Sequence, residues 1–350
     1  MNDGPWTRVT TSPAREHDLL VVDLDGVVYV GPAAVPGAVE ALTSAHDAGT
    51  GWVFATNNAS RTPDEVAAHL RDIGLAVSPD DVVTSSQAGA ALARERLGAG
   101  ARVLAVGGPG VAAACRQAGL EPVDSADDEP AAVVQGYGRD VAWTHLAEAT
   151  VAIRAGAQWI ATNMDLTIPT DRGVMPGNGS LVAAVRAAVG IEPLVAGKPQ
   201  PHLFTTAARR AGARRPLVIG DRLDTDVAGA VAAGQASLLV LTGVTRPEDL
   251  LRADAGHRPG LVALDLAGLH ETHPAAVRED GTWACGQARA RWDSDHLTGT
   301  GADGDAGALD LLRASCAAAW ERIDAGEVLA VDVAVPPGLA ARWAHLGSAG

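Results

Sequence analysis

An α/β fold built on a doubly wound, Rossmann-like parallel sheet is what this sequence predicts, and three observations carry the prediction. Apolar strand-like runs alternate with helix-like stretches from residue 19 onward. Three of those runs end in polar residues: LLVV passes directly into Asp23, WVFA into Thr56–Asn58, and PLVI into Asp221 after one glycine. Finally, 142 residues separate Thr56 from Lys198, far more than one strand–helix–strand unit uses.

In chain order, LLVV (19–22) reads as a buried strand that ends in DLDG. Residues 36–49 follow as a helix, and GWVFATNN (51–58) as a second strand with a polar end. The next helix has a written start: Thr62 as N-cap, Pro63 in the first turn, and Glu65 placed to complete a capping box. Gly74 stops it. Strand–helix pairs in this rhythm demand parallel strands joined by right-handed crossovers. A further strand lies at 101–107, then a helix to about 118 and a strand at 131–137. A helix over 143–156, the strand QWIATN, an irregular stretch to Gly179 and the helix SLVAAVRAAVG complete this section. LVAGKPQP, a helix over 201–212, the strand PLVIG with its tail DRLDTD, a helix to Gly234 and the strand ASLLVLTGV close the α/β part. Gly107–Gly110 and Gly136–Gly138 mark tight turns, since neither matches GxGxxG.

The spacing sets a domain plan. Thirty-three residues between Asp23 and Thr56 hold one helix and one strand. The long interval after Thr56 predicts an inserted α/β cap at 100–193, within a core formed by 1–99 and 194–270. Residues 275–350, with linker-type material such as LTGTGADGDAG (297–307) within them, read as a small α+β module holding Trp283, Trp292, Trp320 and Trp343 as its apolar core.

Composition narrows the function. Of 350 residues, 47% are hydrophobic and 20% charged, as in a globular protein. The net charge of −15 argues against a nucleic-acid partner. No run of eighteen apolar residues predicts a membrane span, and the polar residues 1–18 carry no signal-peptide core, so a cytoplasmic protein is expected. Three separated cysteines, Cys115, Cys285 and Cys316, form neither a disulfide framework nor a zinc motif. The histidines show no metal-binding spacing. One lysine, Lys198, stands against 26 arginines.

The strand ends carry the chemistry, because ligands of open α/β sheets bind at the carboxyl ends of the strands. Asp23 is the candidate nucleophile, able to attack phosphorus and form an aspartyl-phosphate. Asp25, two residues on, is the candidate acid and base, and Gly26 lets the backbone turn away. Two carboxylates facing a phosphate require a cation. Oxygen-only ligands suit Mg²⁺, with Asp221 as a further ligand and Asp226 orienting it from behind. Thr56 and backbone N–H groups near Asn57 and Asn58 are candidate phosphate donors. Lys198 supplies a compact ammonium where the forked guanidinium of Arg would not fit. Asp165, in the irregular stretch 161–180, is the candidate contact to substrate hydroxyls.

DLDGV, ATNNASRT, GKP and GDRLDTD together resemble the four motifs of haloacid dehalogenase-superfamily phosphatases, in the NagD-like, 4-nitrophenylphosphatase and phosphoglycolate phosphatase branch. The resemblance covers roughly residues 15–270, with no departure at a motif position. It implies Mg²⁺ held by Asp23, the Asp25 carbonyl and Asp221, and a phosphoryl group bound by Thr56, Asn57 and Lys198. The expected partner is a small phosphomonoester such as glycerol 3-phosphate, with phosphoglycolate, a sugar phosphate or pyridoxal phosphate as alternatives. A homo-oligomer is compatible with it. A phosphate sensor without turnover is the alternative from another class, and the presence of Asp25 argues against it.

Overall fold

The computed structural model describes residues 6–170, 173–301 and 304–327. The chain forms two compact units, Met1–Trp52 with Ala211–Gly350, and Val53–Arg210.

In the first unit, Leu19–Val22, Pro216–Gly220, Ala236–Val240 and Leu261–Ala263 lie side by side in that order as parallel strands. Their apolar runs are continuous rather than alternating because both faces are covered: every residue of Leu19–Val22 is buried. The register of the first pair positions the polar strand ends. Val22 pairs with Ile219, and the Asp23 N–H donates to the Ile219 carbonyl at 2.8 Å. The polar tails of these two neighbouring strands therefore start within one residue of each other.

The same unit contains a four-stranded antiparallel meander, Val277–Glu279, Thr282–Cys285, Ala288–Asp293 and His296–Thr300, followed by the helix Gly304–Asp324. Burial on that helix is unbroken from Leu311 to Trp320, so it is covered all round. One apolar cluster joins Leu239, Leu241 and Val262 of the parallel sheet to Cys285 and Ala288 of the meander and to Leu312 and Trp320 of the helix. Trp320 is buried as expected for a core tryptophan, while Trp283 and Trp292 pack on its edge, partly buried. Trp343 lies outside the described residues.

The second unit holds a five-stranded parallel sheet in the order Leu194–Val195, Gln158–Ala161, Ala132–Gln135, Arg102–Val106, Glu121–Val123. Helices Trp143–Arg154 and Asn178–Val189 bury Ala149, Ile153, Val182 and Val185 in a cluster with Leu104, Val133 and Trp159 of the sheet. The strand Gly51–Thr56 runs into this unit and pairs there with Val82–Thr84, Phe54 opposite Val82. The capping box on Pro63–Asp72 forms as its sequence predicts: Thr62 Oγ1 accepts the Glu65 N–H, and Glu65 Oε2 accepts the Thr62 N–H at 2.7 Å. The stretch 161–180, expected to be irregular, contains a hairpin of Thr167–Thr170 with Gly173–Pro176. Two four-residue strands, each with a proline, are too short for their alternation to show in the sequence. Among the described residues no helix is long and apolar enough to cross a membrane.

Candidate active site

In the first unit, carboxylate oxygens of Asp23, Asp221 and Asp226 lie within 4.8 Å of one another, and all three residues are buried. Parallel register brings Asp23 and Asp221 together, since each follows the end of one of two paired strands. Gly26 takes a φ of +82°, and a Cβ there would sit 2.7 Å from Asp221 Oδ2. Only glycine serves both demands. Asp221 Oδ2 accepts the Val244 N–H at 2.6 Å, which fixes one edge of the carboxylate. Asp226 sits in a π turn, Leu223–Val227, in which the Val227 N–H reaches back to the Arg222 carbonyl at 3.1 Å. Its Oδ2 accepts the Arg222 N–H at 3.2 Å.

Three buried carboxylates at this spacing repel one another, and their desolvation is costly unless a cation compensates both. The donor set is entirely hard oxygen, which suits Mg²⁺ and not zinc or copper. Asp226, expected behind the ligands, contributes its carboxylate to the same cluster as Asp23 and Asp221. Asp25 is outside the cluster: its side chain is exposed, and its backbone bridges to Tyr29.

In the second unit, Asn57, Lys198 and Asp165 meet, with Thr56 preceding Asn57 in the chain. Thr56 is buried, and its Oγ1 accepts the Asn58 N–H at 3.0 Å. The exposed Asn58 closes a local turn, its Oδ1 accepting from the Ser60 N–H at 2.9 Å and the Ser60 hydroxyl at 2.8 Å. Lys198 is only 4% exposed, unusual for a lysine, and its Nζ lies 3.5 Å from the Ala55 carbonyl. Its backbone is gripped by Asn57: Oδ1 accepts the Lys198 N–H at 2.9 Å, and Nδ2 donates to the Lys198 carbonyl at 3.2 Å. Asn57 Nδ2 also faces the Asp165 carboxylate at 3.3 and 3.4 Å. The Asn57 side chain is thus occupied with Lys198 and Asp165, and Asp165 with Asn57.

Three residues that the motifs do not flag hold this loop. Ser85 Oγ donates to the Asn57 carbonyl at 2.6 Å, Ser86 Oγ to the Ala59 carbonyl at 2.9 Å, and Asn163 Nδ2 to the Asn57 carbonyl at 2.7 Å. A sequence signal existed for Asn163: Ala161–Thr162–Asn163 repeats Ala55–Thr56–Asn57, each after a Trp-containing strand.

Residues 20–121 match the haloacid dehalogenase-like hydrolase model, and residues 195–269 match a second, HAD-hydrolase-like model. A D-glycerol 3-phosphate phosphatase of Mycobacterium tuberculosis is 50% identical over 260 residues, covering 74% of this chain and 73% of that one. The chain belongs to the haloacid dehalogenase-like hydrolase family. Solved structures of that family superpose on it. The glycerol phosphate phosphatase of Mycobacterium tuberculosis in complex with magnesium does so with a TM-score of 0.83 at 45% identity, over 91% of this chain and 94% of that one. The 4-nitrophenylphosphatase of Thermotoga maritima gives 0.68 at 34% identity, over 74% and 98%.

Proposed function

We propose that this hydrolase is a Mg²⁺-dependent phosphatase of small phosphomonoesters, glycerol 3-phosphate first among them, working through an aspartyl-phosphate. The observation that carries the proposal is the buried carboxylate cluster Asp23–Asp221–Asp226 at the ends of paired parallel strands. The substrate rests on the 50% identity to a relative named for glycerol 3-phosphate.

The residue roles follow from their chemistry. Asp23 attacks phosphorus through a carboxylate oxygen as the alkoxide leaves, and Asp25 gives that alkoxide its proton. Asp25 then takes a proton from the water that attacks the phosphoenzyme, which releases phosphate and restores Asp23. An exposed Asp25 is suited to exchanging protons with water in this way. Asp23 and Asp221 would hold the cation with the Asp25 carbonyl, and Asp226 would secure the arrangement. Bound there, Mg²⁺ supplies charge that offsets the carboxylates and the transferring phosphoryl group. Thr56, the N–H groups at Asn57 and Asn58, and Lys198 take the remaining phosphoryl oxygens. Asp165 is the candidate for substrate hydroxyls once the ester is bound.

The domain plan belongs to the same proposal: a core of 1–99 and 194–270, a cap at 100–193 that restricts access to small esters, and residues 275–350 as an added module. So does a cytoplasmic location, to be checked by fractionation; a homo-oligomer is compatible with the reading, and light scattering tests it. The deciding experiment measures kcat/KM over a panel of phosphomonoesters with Mg²⁺ and again with EDTA. Glycerol 3-phosphate is expected to lead, and EDTA to abolish turnover. A clear preference for phosphoglycolate, a sugar phosphate or pyridoxal phosphate would reassign the substrate. No turnover of any ester would leave the fold as a phosphate-binding scaffold.

A further inference from the structure

Asn163 is 3% exposed, and its side-chain amide and its carbonyl are engaged with the loop that bears the candidate phosphate donors or with the elements backing that loop. Its Nδ2 donates to the Asn57 carbonyl at 2.7 Å, and its Oδ1 accepts the Asp165 N–H at 3.2 Å. Its own carbonyl accepts from Asn178 Nδ2 at 2.8 Å, and Asn178 reaches on to the Gln135 carbonyl at 3.3 Å. Asn163 is thereby anchored through the start of the helix Asn178–Val189 and the end of the strand Ala132–Gln135.

Asn163 holds the residue that in turn holds Lys198. Asn57 clips the N–H and the C=O of Lys198 at once, which fixes the peptide planes on both sides of one Cα and so the direction in which the side chain leaves. The Asp165 carboxylate accepts only, so it keeps the Nδ2 of Asn57 turned toward itself and leaves Oδ1 for the Lys198 N–H. Close packing supports the clip. A Cβ on Gly197 would collide with the Thr162 carbonyl and would stand 2.6 Å from Asn57 Oδ1.

We propose that Asn163 is a positioning residue for Lys198, acting through Asn57. It rests on the phosphatase reading for the role of Lys198, but the clip can be tested without substrate. Rigid placement of a charged group is worth large factors in rate, because a misplacement near 1 Å costs about a hundredfold.

The chain's single lysine makes the test direct. Protein labelled with [15N]lysine gives one backbone amide resonance, that of Lys198. In Asn163→Ala its shift is expected to move and its hydrogen exchange to quicken by about tenfold, the equivalent of one hydrogen bond. Asn163→Asp is isosteric, retains the acceptor toward Asp165 and removes the donor toward Asn57, so it is expected to behave like Asn163→Ala. Should the alanine variant fail to fold, the aspartate variant and Asn163→Ser carry the measurement. With 4-nitrophenyl phosphate, kcat is expected to fall by about tenfold or more, and inhibition by inorganic phosphate to weaken, while the melting temperature holds. An unmoved Lys198 resonance in a folded variant, or kcat within about twofold of wild type, would overturn the proposal. Failure of the phosphatase reading looks different: wild-type protein would hydrolyse nothing, while the resonance would still report the clip.

Discussion

The indole rings of Trp6 and Trp320 lie 4.8 Å apart, centroid to centroid, and tilted by 36°. Trp6 Nε1 donates to the Arg313 carbonyl and Trp320 Nε1 to the Leu250 carbonyl, both at 2.9 Å. Arg313, itself buried, donates to the Val262 carbonyl at 2.8 Å. The helix Gly304–Asp324 is therefore bonded as well as packed to the elements around the parallel sheet.

Trp320→Ala is expected to destabilise the protein by about 3–5 kcal/mol, the usual cost of removing a buried tryptophan. The loss is read as a lowered urea midpoint for the unfolding step that carries the tryptophan fluorescence change; an unchanged midpoint would mean that the helix does not share the stability of the sheet. Deleting residues 275–350 is expected to leave the parallel-sheet core uncovered and the product insoluble.

Asp23→Asn is expected to abolish phosphate release while leaving the circular dichroism spectrum unchanged. The amide keeps the shape of the carboxylate but cannot displace an alkoxide from phosphorus. Retained turnover would exclude the covalent route.

Lys198→Arg is expected to lose about a hundredfold in kcat although the charge is conserved. Lys198 is buried and its Nζ already lies beside the Ala55 carbonyl, so a longer forked side chain has no room to deliver its charge to the same point. Turnover near that of wild type would show that charge alone is required.

His273 is buried beneath the last helix, with Arg313 Nη2 3.2 Å from its Nδ1 and its Nε2 2.8 Å from the Gly268 carbonyl. Burial, reinforced by the Arg313 charge, holds its pKa below the ordinary 6.5; the Gly268 bond and Asp310 oppose this. Unfolded chains then bind more protons than folded ones just below that value, so this contribution to stability is present above 6.5 and is lost as pH falls toward the lowered folded pKa. Melting temperature should drop over that window, and His273→Asn should flatten the slope. An identical slope in the variant would assign the effect elsewhere.

All three cysteines are buried, and burial pushes the Cys115 and Cys285 thiols up to about 12 and Cys316 well above its ordinary value. None is expected to react with a thiol reagent at pH 8 in the native state, and all three should react in urea. A rapidly labelled native cysteine would contradict this.

Much of the architecture was legible in the chain. The strand ends bearing Asp23, Thr56 and Asp221, the capped helix after Thr62 and the conformational need at Gly26 are local events, governed by periodicity and turn chemistry that neighbours in sequence decide. The meander beyond residue 275 was legible only as a change of character, because its strands pair with one another and its helix is buried on every side, so no amphipathic stripe announces which surface it covers.

Residue order was enough to establish the α/β class, the four motifs and the singularity of Lys198. Folding in three dimensions was needed to place Val22 opposite Ile219, so that Asp23 and Asp221 meet and Asp226 joins them. It was needed again for the Asn57 side chain to grip the Lys198 backbone and for Asn163 to stand behind it. One cause underlies each case. Residue type fixes what a group can donate or accept, but register and packing between segments over a hundred residues apart fix what it meets.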